Sequence, residues 1–158
     1  MTAAWSTLTL ILTALSLGPS FAHVLEAPPR LAVWPPELWI DATVRHGQFA
    51  LFRLVGAPVD VAAIVAAVVL AVMYRGGPGF GASVAAAAQL ALGLAAWFAL
   101  VAPANTILAG WAAGAAPSDF ASVRMRWETG HMVVAALKLL AFAAMAWAVA
   151  GARTERNT

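Results

Sequence analysis

Four long apolar stretches constrain this 158-residue chain more than any other feature. A helix rises about 1.5 Å per residue, so about 20 apolar residues cross a hydrocarbon core of roughly 30 Å. Residues 3–24, 58–74, 81–101 and 129–150 meet that requirement or come close to it. The chain is 63% hydrophobic and only 10% charged, with a mean hydropathy of +0.84. Soluble domains carry about 25% charged residues. The expected fold is all-α: an integral membrane four-helix bundle, one transmembrane domain over residues 1–158, with the lipid bilayer as its surroundings. A multi-pass protein of the bacterial inner (plasma) membrane is the expected setting.

The connections are unequal. Arg75-Gly76-Gly77-Pro78-Gly79 is a strong breaker and makes a tight turn between the second and third spans. The other two connections, residues 25–48 and 102–128, are long and hold nearly all the charges. With an even number of spans, both lie on the side away from the termini. They are expected to be structured, with two short helices between Pro103 and Glu128 and Ser118 as an N-cap. The second span has an ambiguous start, because Gly56-Ala57-Pro58 interrupts its pattern; a kinked or broken helix is favoured over an interfacial helix at 36–54. Trp5, Trp34, Trp39, Trp111, Trp127 and Trp147 suit aromatic belts at the two interfaces.

Charge counts leave the orientation open. Arg30, Arg45, Arg53, Arg124 and Arg126 fall in the long connections, against Arg75, Arg153 and Arg156 on the other side. The first group alternates with Glu26, Glu37, Asp41, Asp119 and Glu128, so its arginines are not simple topological signals. A net charge of +2 without a basic cluster gives no footing for nucleic-acid binding. No cysteine is present, which excludes disulfides, thiolate metal sites and a cysteine nucleophile. Ser20-Phe21-Ala22 resembles a cleavage site, but no basic segment precedes the apolar run, so the first span is expected to be retained.

Polar residues inside the spans need partners. Ser6, Thr9, Thr13, Ser16, Ser20 and His23 recur at alternating spacings of three and four, which puts them on one helix face. That face is expected to point at protein, where small hydroxylated residues let helices approach closely. Lys138 lies about 18 Å along its helix from Ala150, and Asp60 about 21 Å from Tyr74 on the same side. The similar depth predicts an intramembrane ion pair, Asp60 with Lys138. Gln89 is expected to bond between helices, and Arg124 to pair with Glu128 one turn on.

The three histidines, His23, His46 and His131, all fall at the long-connection side, near Glu26 and Glu128. His23-x-x-Glu26 and Glu128-x-x-His131 each place an imidazole and a carboxylate one turn apart. Carboxylate-bridged metal bundles use Glu-x-x-His pairs, so one reading is a metal set of His23, Glu26, His46, Glu128 and His131 serving an iron or copper oxidase. Another is cofactor-free acid–base chemistry by the imidazoles, with His23, His46, His131 and Glu128 as the catalytic candidates. A third, non-enzymatic reading makes the polar cluster a lock for the loops of an accessory protein.

Gly18 with Phe21-Ala22-His23 and Glu26-x-Pro28, then Pro103-x-Asn105, Trp111, and Asp119 followed by Arg124-x-Arg126-Trp127-Glu128-x-x-His131, resemble the anthrone oxygenase-like (DUF1772) family of small four-helix membrane proteins. The resemblance covers nearly the whole chain. It departs after His131, where the family often has an arginine and this chain has Val133-Val134-Ala135. The resemblance implies oxygen-dependent oxidation of an aromatic or polyketide-type substrate, without a classical organic cofactor. Such chemistry needs a base, for which His23, His46 and His131 are candidates. It also needs a dry pocket for a small aromatic substrate, where Trp111 and Trp127 would stack, and Arg124 or Asn105 would stabilise an enolate oxygen.

Overall fold

The polar stripe of the first span is the seam on which the bundle closes. The computed structural model describes residues 2–111 and 116–154, with the side chains of residues 53, 153 and 154 left out. Helix α1 (Thr2–Ala32) runs unbroken through Pro19, Pro28 and Pro29. Its buried residues are Ser6, Thr9, Thr13, Ser16, Ser20, His23, Ala27 and Arg30. The three–four alternation therefore continues past the expected end near residue 24. Its average period of about 3.5 keeps one face against neighbouring helices along the whole rod. Several hydroxyls bond back to their own helix, as Thr13 Oγ1 does to the Thr9 carbonyl at 2.7 Å. Ser6 Oγ bonds to the Thr2 carbonyl and also meets the Tyr74 hydroxyl, each at 2.7 Å, tying α1 to the far end of the second span.

After α1 come a short helix α2 (Pro36–Ile40) and a π turn (Asp41–Arg45). Helix α3 (Ala50–Met73) then runs through Pro58 as one long helix, the unbroken form of the favoured reading, and the interfacial helix 36–54 does not materialise. The breaker sequence makes the expected hairpin. Gly76 sits at φ 81°, and a Cβ on Gly79 would lie 2.5 Å from the Tyr74 ring, so glycine alone fits there. Helix α4 (Phe80–Ala96), a π turn (Trp97–Val101) and α5 (Ala102–Ala109) follow head to tail, and together they form one apolar rod. Helix α6 (Phe120–Thr154) is the last rod.

The two short helices expected between Pro103 and Glu128 are thus the ends of the adjoining rods. Pro103, just past the expected end of the third span at residue 101, sits in the first turn of α5. There a missing N–H is tolerated, and the wider π turn before it takes up the ring. The α6 helix begins at Phe120, with the Ser122 and Val123 amides on the Asp119 carbonyl; no hydrogen bond from Ser118 caps it among those described.

The rods pack in a ring, α1 against α3 and α6, and α4 against α3 and α6. At the hairpin end the core is largely alanine, with Ala63, Ala67, Ala86 and Ala141 around Leu70, Tyr74, Leu90 and Met145. Small residues let backbones approach, and dispersion rather than water exclusion holds such helices together in lipid. At the other end Trp39, Ile40, Val101, Trp111, Phe120 and Trp127 form a second, aromatic core. Three of the tryptophans assigned to interfacial belts are therefore buried, whereas Trp147 is 74% exposed. Ile11, Leu15, Val65, Leu92 and Leu140 project from the outside. Four rods are long and apolar enough to cross a bilayer. The protein is an all-α, multi-pass integral membrane four-helix bundle.

Candidate functional site

Helix α1 carries Ser16 and His23, and α6 carries His131 and Lys138, each pair seven residues apart. Seven residues make two turns, about 10 Å along the axis. The antiparallel rods therefore hold two polar tiers at matching heights.

The deeper tier is the ion pair anticipated from depth. Lys138 Nζ donates to Asp60 Oδ1 and Oδ2 at 2.7 and 2.8 Å and to the Ser16 carbonyl at 3.2 Å. Ser16 Oγ donates to Asp60 Oδ1 at 2.7 Å. A lone charge at such a depth costs at least about 2.5–3.5 kcal/mol. Here neither charge is alone.

In the upper tier the His23 and His131 rings stack, with centroids 3.9 Å apart and planes 14° from parallel. Aromatic rings close around them. Phe49 lies 4.4 Å from His23, and Trp127 lies 4.4 Å from His131. Phe52 meets His23 edge-on at 5.4 Å. Trp127 Nε1 donates to Asn105 Oδ1 at 2.8 Å, which fixes both side chains. His23 Nδ1 is buried and has no hydrogen-bond partner among the described residues.

Above the imidazoles, Arg30 and Glu128 close the bundle end. Arg30 Nε and Nη2 donate to Glu128 Oε1 and Oε2, both at 2.8 Å. Trp39 Nε1 donates to Glu128 Oε1 at 3.1 Å. Arg30 also reaches Glu26 Oε2 at 2.7 Å and the His23 carbonyl at 3.0 Å. Arg124 donates to the carbonyls of Arg30 and Trp34 at 3.2 and 3.4 Å and lies over the Phe120 ring.

Between the tiers is a cavity of about 350 Å³. His23, His131, Trp127, Asn105, Asp60 and Lys138 line it, with Phe49, Phe52, Trp97 and Phe98 as apolar walls. That size and lining suit a small, largely apolar molecule. The π turn contributes Trp97 and Phe98, and π turns recur at functional sites.

Of the expected site residues, His23, His131, Asn105 and Trp127 meet at this cavity. His46 does not. It is exposed, its Nδ1 lies 2.9 Å from the Asp41 carbonyl, and it is absent from the cavity wall. Trp111 packs on Phe120 in the aromatic core, and Arg124 serves carbonyls; neither lines the cavity. Glu128 is held by Arg30 rather than Arg124, and Glu26 by the same guanidinium. The five expected metal donors consequently do not converge. Among the described residues no three His, Asp or Glu side chains gather to hold a metal ion. Gln89 leaves its Oε1 buried without a partner among the described residues.

Sequence reasoning missed Arg30, Phe49, Phe52 and Trp97. A signal existed for Arg30, which sits seven residues beyond His23 on the same stripe. The side chains of Arg53 and Arg153, and the whole of Arg156, counted above for orientation, lie outside the described residues. Arg30 and Arg124 are spent on internal bonds and so are not free topological signals. No family model matches the chain, and neither a curated protein nor a solved structure is significantly similar to it.

Proposed function

We propose that the protein is a membrane-embedded, oxygen-dependent oxidoreductase of the anthrone oxygenase-like type, acting on a small aromatic ketone with an activated C–H bond. Its setting is the bacterial inner membrane. One observation carries the reading: the stacked His23–His131 pair forms part of the wall of an aromatic-lined cavity within the membrane-crossing rods. The resemblance of the His23 and Arg124–His131 segments to that family points the same way.

The chemistry follows from the wall. An imidazole removes the proton from the activated carbon, and His23 and His131 both line the cavity where that carbon would sit. Phe49, Phe52 and Trp127 hold the planar ring and exclude water. Asn105 has its carbonyl oxygen engaged by Trp127, which leaves its amide N–H groups to donate to the developing enolate oxygen. The carbanion's electron pair then reduces molecular oxygen, a carbon–oxygen bond forms as a hydroperoxide, and loss of water gives the ketone. The balance is R₂CH₂ + O₂ → R₂C=O + H₂O. No residue of the chain is consumed.

Oxygen uptake by purified protein supplied with an anthrone tests this reading. His23→Ala or His131→Ala should lower turnover by about 10²-fold or more, the usual contribution of a general base. His46→Ala should leave it within twofold. Unchanged turnover in both of the first two variants would remove the imidazole base.

A further inference from the structure

The deeper tier is less enclosed than a purely structural ion pair requires. Asp60 keeps 17% of its side chain accessible and Lys138 keeps 7%, against 1% for each partner of the Arg30–Glu128 pair. What Asp60 and Lys138 face is the cavity, because both line it.

The cavity also reaches the side of the bundle. Ala57 on α3 and Phe98 on the π turn line it, and both are exposed. Gly56 beside Ala57 keeps the α3 wall thin. Both walls belong to membrane-crossing rods, so an opening between them faces acyl chains, while Thr43, Val44 and Gly47 line the cavity at the connection end.

We infer that Asp60, Lys138 and Ser16 are the recognition end of a ligand site for a hydroxylated aromatic molecule that arrives from the bilayer. Asp60, whose Oδ2 accepts only from Lys138, accepts from a ligand hydroxyl remote from the reacting ketone, and Lys138 exchanges its bond to the Ser16 carbonyl for one to a neighbouring weakly acidic hydroxyl oxygen. The tiers lie about 10 Å apart along the rods, close to the span of about three fused rings. A ring system anchored at the ion pair therefore brings its far edge under His23 and His131. These residues are specificity determinants, acting on where the ring sits rather than on the reacting carbon. The identity of the ring rests on the oxidoreductase reading; the binding site does not.

The test measures binding without turnover. Protein in lipid nanodiscs is titrated with 1,8-dihydroxyanthraquinone and with unsubstituted anthraquinone, following quenching of the tryptophan fluorescence to which Trp97 and Trp127 contribute. Wild type should bind the hydroxylated ring at least tenfold more tightly. The double variant Asp60→Asn/Lys138→Met, which strands neither charge, should bind both rings equally while keeping a cooperative thermal unfolding transition. Should that variant not fold, Asp60→Glu keeps the pair but pushes the carboxylate into the cavity, and it should lower the preference at least fivefold. No preference in wild type, or a preference that survives in the folded double variant (or, where that does not fold, in Asp60→Glu), overturns the inference. A preference that follows Asp60 and Lys138 in a protein that takes up no oxygen would sink the catalytic reading and leave this site standing.

Discussion

Arg30 and Glu128 meet through two parallel N–H···O bonds of 2.8 Å, each side chain only 1% exposed. The planar guanidinium suits a carboxylate, and Trp39 satisfies a further lone pair on Glu128. Removing one partner of such a buried pair strands a charge, at a cost of about 3–5 kcal/mol. Glu128→Ala and Arg30→Ala should each lower the thermal unfolding temperature in detergent sharply. Arg30→Lys cannot reproduce the two-pronged contact and should also destabilise, by less. A Glu128→Ala variant as stable as wild type would show that the cap is dispensable.

The Asp60–Lys138 pair predicts a different pattern. Lys138→Met leaves the Asp60 carboxyl without its cation at a depth where an unpaired charge costs at least about 2.5–3.5 kcal/mol, so folded yield should fall. Asp60→Asn combined with Lys138→Met should recover most of it, because both charges leave together. A thermodynamic cycle over the two single variants and the double reads the coupling directly. Additive losses would contradict direct pairing.

Trp127 holds Asn105 through one hydrogen bond of 2.8 Å in a half-dry wall. Trp127→Phe keeps an aromatic ring and removes the donor. An unsatisfied buried acceptor costs about 1–3 kcal/mol, so stability should drop by that order, and turnover should drop through a mobile Asn105. Unfolding midpoints and oxygen uptake, measured together, check both halves.

Two glycines should respond oppositely to alanine. A Cβ on Gly130 would sit 2.9 Å from Val101 Cγ2 and 3.2 Å from Leu100 Cβ, so α6 presses its backbone against the π turn. Gly130→Ala should destabilise by about 1–3 kcal/mol through overpacking. A Cβ on Gly18 meets nothing within 4 Å, and alanine there should be neutral or stabilising by about 0.5–1 kcal/mol through backbone entropy. Thermal unfolding of the two variants side by side is the measurement.

Legibility varied with how many choices each residue had. The stripe from Ser6 to His23 was readable because helical periodicity alone assigns a face. Asp60 and Lys138 were readable because depth left each of them a single opposite charge. Glu128 had Arg30 and Arg124 to choose from, and the one-turn neighbour Arg124 was the wrong choice. His46 looked equivalent to His23 and His131 along the chain, but the π turn that precedes it carries it outside the cavity wall. Pro28, Pro29 and Pro103 lie beyond the expected ends of their spans, yet the helices take them in, because a packed rod tolerates a lost amide bond that an isolated helix would not.

By itself the sequence determined four rods, their membrane setting, the inward face of the first rod and the ion pair at mid-depth. Each of these follows from hydrocarbon being unable to satisfy polar groups, a rule that acts residue by residue. The tertiary structure decided which imidazoles stack, which cation claims Glu128 and where the cavity opens. Near the rod ends several partners of the same chemistry compete within reach, and only the lateral packing of distant helices selects among them.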